Sequence, residues 1–214
     1  MKDITQAHLR DSTTGPVVPH SSSGKMFPET MKGSSMSTSS SRSSSLWQRV
    51  TLIDQAILEF VRSWEKRWLT RFMTSVTHLG DASSWVCISL LLLAMGEPGR
   101  VAFKLVAVSA LGASLVAQGV KYLFRRPRPE ISPHENSMLM NSDQYSFPSG
   151  HTTAAFAVCV ALIGQGSFLG LMAFVLALLI GTSRVYLGAH YPLDVAAGAG
   201  IGMVVGVGVR FIIL

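Results

Sequence analysis

The chain has 214 residues, of which 48% are hydrophobic and only 14% charged, a balance that excludes an ordinary water-soluble domain. Its formal net charge is +6, but ten of the eighteen Lys and Arg lie before residue 72 and most of the rest crowd around two short connections, so nucleic-acid binding finds little support. Cys87 and Cys159 both fall inside apolar runs, where a thiol behaves as a small hydrophobe, and neither a disulfide framework nor a metal site is expected.

In chain order, residues 1–45 end in GSSMSTSSSRSSS, too polar and too poor in large apolar side chains to build a core, and are expected to be a disordered tail. No apolar segment follows the first basic residues, so the start does not read as a signal peptide. Residues 46–214 are expected to form one membrane domain. It begins with LWQRVTLIDQAILEFVRSWEKRWLTRF, in which Ile53, Ile57, Phe60, Val61 and Trp64 share one helical face while Asp54, Glu59 and Arg62 share the other. That pattern predicts an amphipathic helix lying in the membrane interface.

Five apolar stretches follow, at roughly 72–96, 101–121, 150–165, 167–187 and 192–214. Short connections such as EPG and GQGS force antiparallel neighbours, so the expected fold class is all-α, an up-and-down bundle of about five transmembrane helices. Gly198, Gly202 and Gly206 recur at every fourth residue of the last stretch, which predicts close approach of a neighbouring backbone.

Alternation of the spans brings four helix ends to one side of the bilayer, and with them Lys121, Arg128, Ser149, Gly150, His151, Arg184, His190 and Asp194. Lys121 ends one helix and Arg128 lies beyond Pro127, so both cations can bend toward one point. Pro148–Ser149–Gly150–His151 opens a helix whose unpaired N–H groups, bare glycine and serine hydroxyl make an anion cradle with a proton donor beside it. Arg184 offers a planar fork for phosphate oxygens. With Pro192 in the first turn of the last helix, His190 and Asp194 lie one turn apart, which lets the carboxylate accept the Nδ1 proton and leaves Nε2 free to attack phosphorus. Singly each cluster has a structural explanation as turn, snorkelling cation or surface pair; jointly they describe a phosphate site.

Lys121–x6–Arg128–Pro129, Pro148–Ser149–Gly150–His151 and Ser183–Arg184–x5–His190–x3–Asp194, in that order, resemble the three-part signature of the type 2 phosphatidic acid phosphatase (PAP2) superfamily at every motif position. The likeness runs from about residue 50 to the C-terminus. It implies a metal-independent membrane phosphatase of lipid phosphates or diphosphates, with no cofactor. In that scheme His190 is the nucleophile, Asp194 orients it, His151 protonates the leaving group, and Lys121, Arg128, Ser149, Gly150 and Arg184 hold the phosphoryl oxygens. Three cations and backbone amides would supply the positive charge that Mg²⁺ supplies elsewhere. The expected partners are lipid phosphate and membrane lipids, of the undecaprenyl diphosphate or phosphatidate type. A phosphotransferase using the same site is the alternative, and a non-catalytic lipid-binding protein a weaker one.

Between Pro129 and Phe147 runs EISPHENSMLMNSDQYS, in which Met138–Leu139–Met140 is either loop or an interfacial rim for a lipid tail, and His134 is expected to be exposed. The basic N-terminal region favours the cytoplasm by the positive-inside rule. The family likeness instead implies a cell-membrane protein with an extracytoplasmic site, and that is the expectation adopted.

Overall fold

The computed structural model describes residues 40–129, 144–163, 165 and 167–214. The expected tail falls, up to residue 39, outside the described residues, as do Met138–Leu139–Met140 and His134. Among the described residues there are seven helices and no strand: α1 (Ser40–Arg62), α2 (Arg67–His78), α3 (Ala82–Ala94), α4 (Glu97–Phe124), α5 (Gly150–Leu162), α6 (Ser167–Tyr186) and α7 (Pro192–Ile213).

The all-α bundle read from hydropathy is present, with differences at its first and third spans. Three helices, α4, α6 and α7, are long and apolar enough to cross a bilayer, and a fourth crossing comes from α2 and α3 if they count as one span. That pair occupies the stretch expected as a continuous helix over 72–96 but bends by 60° at residues 79–81. At 13 residues α5 is short; it spans about 20 Å, against about 30 Å of hydrocarbon. It packs against α4, α6 and α7, and nine of its residues are buried. A helix wrapped in protein does not have to match the bilayer thickness.

The glycine stripe of α7 explains how α5 comes to be wrapped so closely. A Cβ on Gly198 would stand 2.8 Å from Ser149 O, and Cβ atoms on Gly202 and Gly206 would run into the carbonyl oxygens of Thr153 and Ala157. Small residues on α5 meet bare backbone on α7, so the two helix starts are brought together.

In α1 the apolar face and Glu59 are exposed, as in a helix lying in the membrane interface, and one residue of the polar face, Asp54, is buried instead. Ile53, Phe60 and Trp64 are exposed, whereas Asp54 is 4% exposed and directed into the bundle beside Leu58. Beside lipid, apolar side chains face outward and a carboxylate is stable only where protein donors meet it.

Candidate active site

Helix ends meet at one end of the bundle. α4 stops at Phe124, where Arg125 takes a left-handed φ of 47° and returns its N–H to Lys121 O at 2.9 Å. Pro127 prevents a further turn. Lys121 therefore sits in the last turn, buried, with its Nζ 3.8 Å from where a Cβ on Gly150 would be. Ser149 precedes α5, and its N–H donates to Asp194 O at 3.0 Å, tying the starts of α5 and α7 through main chain. Its hydroxyl accepts from Thr152 Oγ1 at 2.9 Å. Gly150 puts no side chain between the first-turn N–H groups of α5 and the Lys121 ammonium, which keeps an anion site open there.

Arg184, in the last turn of α6, is buried; its Nη1 donates to Thr77 Oγ1 at 2.7 Å and its Nε has no hydrogen-bond partner. Arg128 Nη1 lies 3.5 Å from Ala189 O, and its charge acts on both Arg184 and His190. Cations that repel one another around a buried, unsatisfied N–H describe a place for a polyanion.

His190 stands in the turn between α6 and α7. Gly188 takes a φ of 68° there, which only glycine adopts without strain, and the Ala189 and His190 N–H groups fold back onto Arg184 O at 3.1 and 3.2 Å. His190 Nδ1 lies 2.7 Å from Ser146 O. A carbonyl oxygen only accepts, so Nδ1 carries the proton and Nε2 keeps its lone pair. The expectation that Asp194 takes the Nδ1 proton is corrected here: its Oδ2 is 3.8 Å from Nδ1, beyond hydrogen-bond length. The Asp194 oxygens instead accept from Tyr191 N–H at 3.0 Å and Arg126 Nη1 at 2.7 Å. Pro192 starts α7, which leaves Asp194 in the first turn, capping its own helix and acting on the imidazole only through space. Burial pushes the His190 pKa from 6.5 down to about 3; Asp194 opposes the shift, and Arg184 and Arg128 add to it.

His151, the second residue of α5, has a side chain 16% exposed, and its Nε2 lies 2.7 Å from Asp81 Oδ1. Asp81 Oδ2 is in turn 2.9 Å from His78 Nδ1.

All eight residues singled out in the sequence thus lie at this end of the bundle, but the side chains that hold them include several that the motifs do not name. Arg126 occupies the spacer between Lys121 and Arg128, yet it joins Asp194 to Asp54, whose Oδ2 accepts from Arg126 Nη2 at 2.6 Å. Its guanidinium also lies 4.2 Å above the Tyr191 ring. Burial alone would lower the Arg126 pKa, but Asp54 and Asp194 raise it above its ordinary value, so it is a permanent cation. Asp54 Oδ1 takes the Leu193 N–H at 2.9 Å, fastening α1 to the start of α7. The signal for Asp54 and Asp81 is a carboxylate within or beside an apolar stretch, which is costly unless used. Thr77 and the Ser146 carbonyl carry no such signal.

Among the described residues no three His, Cys, Asp or Glu side chains group as they would around a metal ion. An apolar pocket of about 420 Å³ lies between α3 and α4, lined by Trp85, Val86, Leu90, Phe103 and Leu111, and its Ala82 end adjoins Asp81 in the chain.

Comparison with known proteins places these residues in a family. The family model described as the PAP2 superfamily matches residues 102–213. Phosphatidylglycerophosphatase B of Bacillus subtilis is 31% identical over 164 residues, covering 70% of this chain and 78% of that protein. The undecaprenyl-diphosphatase BcrC of Bacillus subtilis is 26% identical over 99 residues, 46% of this chain and 51% of that one. The crystal structure of a transmembrane PAP2-type phosphatidylglycerolphosphate phosphatase from Bacillus subtilis matches with a TM-score of 0.64 at 28% identity, covering 77% of this chain and 86% of that chain. With its apolar helices and this neighbour, the chain is an integral membrane protein.

Proposed function

The chain belongs to the PAP2 superfamily, and from that premise we propose that it is a membrane phosphatase that hydrolyses lipid phosphates or diphosphates through a phosphohistidine on His190. The observation that carries the reading is that Lys121 and Arg184 stand at the open first turn of α5, with Arg128 beside Arg184 and His190 and a buried Arg184 Nε left unsatisfied. A phosphoryl group supplies the missing acceptors. Relatives named for phosphatidylglycerophosphate and undecaprenyl diphosphate make those lipids the first substrates to test, with phosphatidate added on family grounds.

In the first step His190 Nε2 forms a bond to phosphorus while the bond to the leaving oxygen breaks and His151 gives that oxygen a proton. In the second, water attacks the phosphorus, His151 recovers a proton from it, and the phosphorus–nitrogen bond breaks to release phosphate. In the transition state of each step the three cations and the α5 amides hold the three equatorial oxygens, where charge develops. The apolar pocket beginning at Ala82 takes part of the lipid chain.

The test is phosphate release by the purified full chain from undecaprenyl diphosphate, phosphatidylglycerophosphate and phosphatidate, with and without EDTA and with an added alcohol acceptor. Release that survives EDTA is the expected result, because charge neutralisation comes from side chains. Loss of release on chelation, restored by Mg²⁺, overturns the mechanism, and transfer to the acceptor in place of release makes the enzyme a phosphotransferase. On family grounds the site faces the extracytoplasmic side. In a Cys87→Ser background, His134→Cys reacts with an impermeant thiol reagent in intact cells if that is so; reaction only after permeabilisation reverses the assignment.

A further inference from the structure

We propose that Asp81, which lies outside the segment matched by the family model, is a positioning residue for proton delivery to the leaving group, holding His151 through Nε2 and joining it to His78 at the protein surface. This inference rests on the reading of His151 as general acid.

The local structure gives Asp81 no other use. It occupies the N-cap of α3, where an aspartate ordinarily accepts a first-turn N–H, yet it makes no capping hydrogen bond. Both of its oxygens go to histidines instead: Oδ1 to His151 Nε2 at 2.7 Å and Oδ2 to His78 Nδ1 at 2.9 Å. Side-chain exposure rises along the series, from 16% at His151 through 30% at Asp81 to 58% at His78. The buried acid is thus linked to the outside by one carboxylate.

The break between α2 and α3 is built around this contact. A Cβ on Gly80 would stand 2.8 Å from His151 Cδ2, so glycine is what lets the imidazole lie against the break. Trp85 Nε1 donates to Gly80 O at 3.2 Å and Ser84 Oγ to His78 O at 2.6 Å, which fix the chain on both sides of Asp81. The bend in the expected span at 72–96 has the effect of bringing a carboxylate to the start of α5.

Chemistry supplies the reason. Lys121 and Arg184 both act electrostatically on His151, so a protonated imidazole there repels two cations unless an anion faces it. Asp81 is that anion. With Nε2–H bonded to Asp81, the imidazole plane is fixed and Nδ1 is the nitrogen left to give its proton to the leaving oxygen; the neutral ring that remains keeps its Nε2 proton on Asp81.

The test compares Asp81→Asn, Asp81→Ala, His151→Ala and the Asp81→Asn/His151→Ala double variant on phosphatidate, which expels an alkoxide, and nitrophenyl phosphate, which expels a stable anion. The Asp81 variants are expected to lose about 10²-fold in kcat on phosphatidate and less than about threefold on nitrophenyl phosphate, with KM unchanged. The double variant is expected to be no slower than His151→Ala, since Asp81 acts through His151. Asp81→Asn keeps the size of the side chain, so a folding failure of Asp81→Ala does not remove the test. If His151→Ala discriminates between the substrates while Asp81→Asn slows both equally, or neither, the role of Asp81 is overturned and the reading of His151 stands. If His151→Ala itself slows both equally, the general-acid reading fails, and this inference with it.

Discussion

His190 and His151 stand at the starts of adjoining helices, and their surroundings differ in kind. His190 is sealed, with a side chain 2% exposed and Nδ1 on a main-chain carbonyl. His151 sits at a seam between α5 and the α2–α3 break, bonded to a carboxylate that reaches toward the surface. A carbonyl cannot take a proton, so it locks one tautomer and leaves the other nitrogen unprotonated, which suits a nucleophile. A carboxylate accepts from either charge state of the ring, which suits a group that must give up and regain a proton. The difference teaches that the same residue type is assigned its work by what holds its far nitrogen.

The largest effect tests that contrast directly. His190→Ala is expected to lower phosphate release at least about 10⁴-fold on every substrate, because no nucleophile remains. His151→Ala is expected to spare substrates with good leaving groups, as side-by-side assays of the purified variants would read out.

Next comes the scaffold behind the nucleophile. Arg126→Ala leaves Asp54 and Asp194 buried without their shared cation, an expected loss of about 3–5 kcal/mol that thermal unfolding in detergent measures. Asp54→Asn keeps the acceptor for the Leu193 N–H and is expected to cost less.

The α5–α7 contact that brings the two histidines together is open to a matched pair of substitutions. Gly202→Ala drives a methyl group into the Thr153 carbonyl, an expected loss of about 1–3 kcal/mol together with lower activity as the helix starts separate. A methyl group on Gly200 would meet nothing within 4 Å; Gly200→Ala is expected to be neutral or to stabilise the helix by up to about 1 kcal/mol.

The last effect is that of pH on the sealed histidine. Its folded pKa of about 3 lies below the ordinary 6.5, so between these values the unfolded chain binds more protons than the folded one. The stability it confers is complete above pH 6.5 and declines as the pH falls toward 3, with a slope of up to about 1.4 kcal/mol per pH unit. His190→Gln is expected to flatten that part of the Tm profile.

The eight motif residues are legible in the sequence because each lies at the end of an apolar stretch, and hydropathy locates such ends well. What lies behind them is hidden. An amphipathic pattern gives α1 two faces but does not single out Asp54 from Glu59 on the polar one, although only Asp54 meets Arg126 and the Leu193 N–H. Averaging over 72–96 conceals the Gly80–Asp81 break, since two short apolar helices and one long one have the same composition. Arg126 stands between two motif cations and is indistinguishable from spacer until its geometry ties Asp194 to α1. The Ser146 carbonyl, which fixes the His190 tautomer, is a backbone atom to which no residue type can point.

The claim that His190 attacks phosphorus is tested most directly by the stereochemical course of hydrolysis, using a lipid phosphate whose phosphoryl group is made chiral with sulfur and oxygen isotopes. Two successive in-line displacements, one by His190 and one by water, each invert the centre, so the account predicts net retention in the released thiophosphate. Net inversion would mean that water attacks the lipid phosphate directly, and would contradict the assignment of His190 as nucleophile.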